Sequence, residues 1–123
     1  MALGVAQIPW YATLFRGDQF AAAVAEIAPV AMRYGALDYV VHRNRDDQYK
    51  FMQSSTWESK ADWEAYWYGP EMKTFRTVYS GWYQVPVLYS FADIVTQGDR
   101  NSSGPEVGAG HGIPPGEGDL DAA

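Results

Sequence analysis

The chain of 123 residues contains no cysteine. Disulfides, thiolate-held metals and a thiol nucleophile are therefore excluded, and a reducing compartment, the cytoplasm, is the expected location. Histidine is nearly as scarce, with only His42 and His111. One histidine per region and dispersed carboxylates lack metal-ligand spacing, so no metal site is expected. Positive charge is short as well: nine Lys and Arg against fifteen Asp and Glu leave a net charge of -6. Phosphate backbones are held by basic stripes, so a nucleic-acid partner is not expected. No segment approaches the roughly 20 apolar residues of a membrane-spanning helix, so no membrane association is expected either. The apolar stretch Met1–Ala25 has no basic start and is interrupted by Pro9, Arg16 and Asp18, which reads as mature protein and not as a secretion signal. Glycine-rich phosphate loops, G-x-S-x-G and H-E-x-x-H are all missing. Hydrolase, kinase and dinucleotide-dependent readings have no motif to rest on.

Aromatic residues are abundant. The stretch Trp57–Tyr83 holds four of the five tryptophans and is broken at Gly69-Pro70. Ser59 followed by Asp62 predicts a helix start, and Trp63, Tyr66 and Trp67 fall at i, i+3 and i+4 on one face. Gly69-Pro70 interrupts this helix, because proline lacks an N–H and disfavours helical geometry before it. Pro70 opens a second piece carrying Met72, Phe75 and Tyr79, and Ser80-Gly81 closes it.

Elsewhere, Ala6 to Phe15 reads as a strand apolar on both faces, with Ile8, Trp10, Ala12 and Leu14 on one side. Phe20, Val24, Ile27, Ala31 and Tyr34 mark a helix bent at Pro29 and ended by Gly35. Leu37–Asn44 and Gln48–Thr56 form a hairpin around Arg45-Asp46-Asp47, a turn that would set His42 opposite Phe51 and Arg43 opposite Lys50. Gln84–Val95 reads as a last strand, with Pro86 at its start. The order β-α-β-β-α-β over residues 1–96 predicts an α+β, ferredoxin-like domain. Residues 97–123 hold seven of the twelve glycines and no aromatic residue. They are expected to form a flexible acidic tail, with docking of a protein partner as its functional reading.

Several side chains are candidates for chemistry. His42 has the only imidazole within residues 1–96 and is the expected catalytic base. Tyr11 and Arg43 would orient a ligand hydroxyl or carboxylate. Trp63, Tyr66, Trp67 and Phe75 would wall a pocket for an aromatic molecule, unless they only pack as core. Glu71 is placed to meet the dipole of the second helical piece.

The segment Trp57-Glu58-Ser59, with Glu64-Ala65-Tyr66-Trp67-Tyr68-Gly69-Pro70-Glu71 and Phe75, resembles antibiotic-biosynthesis-monooxygenase (ABM) domains, in which a strand runs into a helix patterned A-H-x-x-S-P-H-x-x-x-F. Ala65, Pro70 and Phe75 match; Tyr66 and Glu71 stand where the two histidines often are, and Gly69 stands where serine is. The resemblance implies a dimeric α+β barrel, assembled sheet to sheet as a homodimer, with an apolar or aromatic small molecule bound between sheet and helices. It also implies oxygenation without a cofactor as the reaction. Without the helix histidines, heme binding is disfavoured and no cofactor is expected. The alternative is a non-catalytic binding or assembly subunit that docks a partner through residues 97–123 or an outer face.

Overall fold

The computed structural model describes residues 2–101. The expected tail falls mostly on residues 102–123, outside the described residues; residues 97–101 are exposed and form no strand or helix.

Strand β1 (Gly4–Tyr11) leads into helix α1 (Gly17–Ile27), a 3₁₀ stretch (Ala28–Tyr34) and the hairpin of β2 (Asp38–Arg43) and β3 (Lys50–Trp57). Helices α2 (Lys60–Trp67) and α3 (Pro70–Val78) follow, and β4 (Ser90–Asp93) closes the order. The four strands form one antiparallel sheet in the order β2-β3-β1-β4. This is the ferredoxin-like arrangement expected from the element order.

Period-two alternation gives the sheet its two faces. Ala6, Ile8 and Trp10 of β1 and Phe51, Gln53, Ser55 and Trp57 of β3 are buried beneath the helices. The intervening residues Val5, Gln7, Pro9 and Tyr11, together with Met52, Ser54 and Thr56, are half-buried or exposed on the open face.

The helices start and stop for local reasons. Ser59 Oγ accepts the Asp62 N–H at 3.1 Å, which caps α2. The expected single helix from Phe20 to Tyr34 narrows to 3₁₀ geometry at Ala28, where Pro29 removes a donor from the α-helical ladder. Gly35 ends the stretch in the left-handed region, at φ 106°, which glycine adopts without a Cβ penalty.

Three expectations are corrected. The hairpin register differs by one: His42 pairs with Met52 and Arg43 with Phe51. Asn44 Oδ1 accepts the N–H groups of both Asp46 and Asp47 at 2.8 Å, and the loop closes with Asn44 N–H on the Lys50 carbonyl at 2.9 Å. The loop therefore holds one residue more than the simple turn assumed. The last strand is also shorter than Gln84–Val95, pairing only Ser90–Asp93 with Gly4–Gln7. Tyr11 O accepts from Gln84 N and Ala12 N donates to Tyr49 O, so the odd-numbered backbone groups of β1 face the β4 side. Pro9 is one of these and has no N–H, so the ladder stops after Gln7. Finally, β1 ends at Tyr11, and Leu14 and Phe15 are 69% and 84% exposed beyond it.

The corner at Gly69-Pro70 tolerates no side chain. A Cβ on Gly69 would lie 2.6 Å from the Ala65 carbonyl oxygen and 2.8 Å from the Tyr34 hydroxyl. Gly69→Ala is expected to cost about 1–3 kcal/mol through this overlap, read as a lower midpoint in urea at unchanged slope. An unchanged midpoint would show that the corner opens freely.

Candidate functional site: an aromatic layer and the cleft between α2 and β4

The space between sheet and helices is filled by rings. Trp10 lies 5.6 Å from Phe20, 5.5 Å from Phe75 and 5.0 Å from Tyr83, centroid to centroid. Trp63 stacks on Trp67 at 5.6 Å and contacts Trp57 and Tyr66. Trp63, Tyr66, Trp67 and Phe75 are each at most 5% exposed.

One chain of hydrogen bonds crosses this layer. Trp10 Nε1–H donates to Gln53 Oε1 at 2.9 Å, Gln53 Nε2–H donates to the Tyr66 hydroxyl at 3.0 Å, and that hydroxyl donates to the Ile27 carbonyl at 2.8 Å. The indole is only a donor and the Ile27 carbonyl only an acceptor, so the chain runs in one direction and the Gln53 amide has one orientation. Burial pushes the Tyr66 hydroxyl pKa well above its usual value, and the Gln53 contact opposes that rise. Alongside, Trp57 Nε1–H donates to Ser55 Oγ at 2.8 Å.

The layer reaches the surface between α2 and β4. A recess of about 240 Å³ opens there, lined by Lys60, Trp63, Glu64, Tyr68, Tyr89, Ser90 and Phe91. Helical spacing puts Lys60, Trp63, Glu64 and Tyr68 on one side of it. Tyr89, in the segment that Pro9 leaves out of the ladder, sits 4.6 Å from Trp67 and 5.9 Å from Trp63. The Tyr68 and Tyr89 hydroxyls are 2.9 Å apart and share a hydrogen bond, and this contact is the first cause of the raised Tyr68 pKa.

The structure distributes the sequence-predicted site residues over both faces of the sheet. Trp63, Tyr66, Trp67 and Phe75 lie together on the helix side. His42 lies on the open face, because its partner is Met52 and not the inward-facing Phe51; a one-residue change of register exchanges the faces. His42 and the α2 rings therefore do not share a pocket. Arg43 is on the helix side but tied down: it bonds Asp18 at 3.0 Å and the Gln48 carbonyl at 2.8 Å, and lies over the Phe51 ring. The Tyr11 hydroxyl donates to Asp47 Oδ2 at 2.6 Å. Glu71 accepts from the Tyr34 hydroxyl, which is the first cause of its lowered pKa. Tyr66 and Glu71, at the two helix positions where the pattern often has histidine, are thus both engaged in hydrogen bonds. Among the described residues no group of three His, Asp or Glu could hold a metal ion.

Sequence reading missed Gln53 and Ser55. Their signal is the alternation Phe51, Gln53, Ser55, Trp57, in which two polar residues share a buried face with two rings and so require partners.

Residues 16–78 match the family model of the antibiotic biosynthesis monooxygenases, and the chain belongs to that family. No curated protein sequence matches it. Among solved structures, a protein of Nitrosomonas europaea assigned to the antibiotic biosynthesis monooxygenases is similar with a TM-score of 0.70 at 14% identity, over 80% of this chain and 95% of that one. A Bordetella bronchiseptica protein of the same assignment gives 0.68 at 16%, over 78% and 100%. SnoaB of Streptomyces nogalater, a cofactor-independent oxygenase, gives 0.63 at 11%, over 83% and 100%. At these identities the likeness is one of fold.

Two tests address the hydrogen-bond chain. Gln53→Leu leaves the Trp10 N–H without its partner, and Tyr66→Phe strands Gln53 Nε2 and removes the side-chain donor to the Ile27 carbonyl. Each is expected to cost about 1–3 kcal/mol, and the double variant less than the sum of the two. Strict additivity in urea unfolding would show that the chain does not act as a unit. The raised Tyr66 pKa also carries a sign. Its contribution is fully present below the unfolded value near 10 and is lost as pH rises from there towards the folded value, because only the unfolded phenol ionises in that window. Above about pH 10, Tyr66→Phe should therefore lose stability less steeply than the parent; equal slopes would contradict the assignment.

Proposed function

We propose that this domain binds a planar, apolar aromatic molecule in the cleft between α2 and β4 and oxygenates it without a bound metal or flavin. The observation that carries this reading is the recess itself: Trp63, Tyr68, Tyr89 and Phe91 surround it, and the stacked Trp63–Trp67 pair backs it. Aromatic rings pack face to face or edge to face with such walls. Polar groups from Lys60, Glu64, Tyr68, Tyr89 and Ser90 share the lining with the rings, and such groups fix a ligand's orientation in small-molecule sites. Membership of the antibiotic biosynthesis monooxygenase family supports this reaction class, and the fold shared with a cofactor-independent oxygenase is in keeping with it.

The chemistry balances within substrate and dioxygen. A ring methylene next to a phenol loses its two hydrogens and gains one oxygen as a carbonyl, and the second oxygen leaves as water. All four electrons come from the substrate. The Lys60 ammonium and the paired Tyr68 and Tyr89 hydroxyls would favour the phenolate that reacts with oxygen, and the Glu64 carboxylate would accept the phenolic proton. His42, across the sheet, has no part in this step.

The same reading includes a homodimer formed through the open sheet face. That face carries Val40, which is 43% exposed, beside Pro9 and Met52, and a second copy would cover it.

The test is aerobic incubation with a tricyclic anthrone in the presence of a metal chelator, following quinone absorbance and oxygen uptake. The expected result is one oxygen consumed per quinone formed, with turnover reduced about tenfold in Tyr89→Phe or Lys60→Met, in line with the loss of one polar contact to a developing charge. Absence of quinone with the parent protein would overturn the reaction, and full turnover in both variants would overturn the cleft assignment.

A further inference from the structure

The open face of the sheet carries a second recess. It has a volume of about 200 Å³, lies at the end where β2 turns into β3, and is lined by Pro9, His42, Asn44, Lys50, Phe51 and Met52. Pro9, Met52 and His42 form one cross-strand row, since Met52 is the partner of both others. Lys50 lies two residues from Met52 and so on the same face, in the next row, opposite Tyr11. The floor is apolar: a pyrrolidine, a thioether side chain and part of Phe51.

The polar groups around this floor are of one kind. Asn44 Oδ1 is occupied by the N–H groups of Asp46 and Asp47, so its carboxamide has only the N–H donors left to offer. Lys50 brings an ammonium that forms no ion pair within 4.0 Å among the described residues, and His42 brings an imidazole. Asp47 does not line the recess; its oxygens accept from the Tyr11 hydroxyl at 2.6 Å and from Tyr49 N–H at 3.1 Å. With two side chains that offer only donors, an imidazole able to donate, and no carboxylate in its lining, the recess is complementary to an acceptor. A cationic ligand would meet the Lys50 ammonium, which the Asp47 carboxylate attracts from outside the lining.

We propose that this recess is a binding site for a compact organic anion, a carboxylate carried on a single ring or a short branched chain. The carboxylate meets Lys50, His42 and the Asn44 amide, and the apolar body lies on Pro9 and Met52. Its volume falls below the range of about 300–1,000 Å³ typical of drug-sized ligands, which limits the occupant to about one ring. The site is separated by the thickness of the sheet from the cleft between α2 and β4 and does not depend on the reaction proposed there.

The experiment is a titration of the ¹⁵N-labelled full-length chain with benzoate, and in parallel with benzamide and acetate, followed by amide and imidazole chemical shifts. Saturable shifts are expected at residues 42–44 and 50–52 with benzoate. Binding should be about tenfold weaker for benzamide, which lacks the charge, and for acetate, which lacks the ring. Lys50→Met, at an exposed position, should fold as the parent does and weaken benzoate about tenfold while leaving benzamide unchanged. Equal affinity for benzoate and benzamide, no effect of Lys50→Met, or shifts confined to α2 and β4 would each overturn the proposal.

Discussion

The Gln53 carboxamide is the group on which the interior of this domain depends. A buried amide without partners would cost several kcal/mol, yet here both ends are satisfied by ring-bearing residues from other elements, Trp10 on β1 and Tyr66 on α2. Tyr66 then passes the bond to the carbonyl of Ile27, at the end of α1. Four elements are therefore fixed to one another by three directional bonds inside a layer that is otherwise held by non-directional ring packing. Packing alone would allow large rings to slide over one another; the hydrogen bonds select one arrangement.

That selection positions the cleft. Trp63 and Trp67 lie three residues before and one residue after Tyr66, so fixing the Tyr66 hydroxyl fixes the face of α2 that backs the recess. The other wall is set by an absence: Pro9 offers no donor where the β4 ladder would continue past Gln7, and the chain between Gln84, which bonds Tyr11, and Ser90 leaves the ladder. Tyr89 then reaches across to Tyr68. One wall is held by a buried network and the other by an exposed segment with few bonds, an asymmetry that suits a site that must both hold a shape and admit a molecule.

Much of this was readable from residues alone, and the misses have physical causes. Ser59 with Asp62, Gly69-Pro70 and Gly35 mark their boundaries because capping and backbone freedom are local properties. The ferredoxin-like order follows from the periodicities. Register is different, because it depends on how a loop closes: the Asn44 side chain takes two backbone donors and lengthens the hairpin loop by a residue, which moves His42 to the far face from the rings. The length of β4 depends on a proline about eighty residues earlier in the chain. The role of Gln53 depends on partners 43 and 13 residues away, and a single strand does not reveal them.

The strand order also has a consequence in time. β1 is synthesised first, but its partners are β3, complete at Trp57, and β4, complete at Asp93. The N-terminal strand of an emerging chain therefore waits for almost the whole domain before both its edges are covered, and non-local pairing of this kind slows folding. During that interval Pro9 lies near the middle of the strand as a gap in its row of donors, which interrupts any ladder that another nascent chain could build along the same edge.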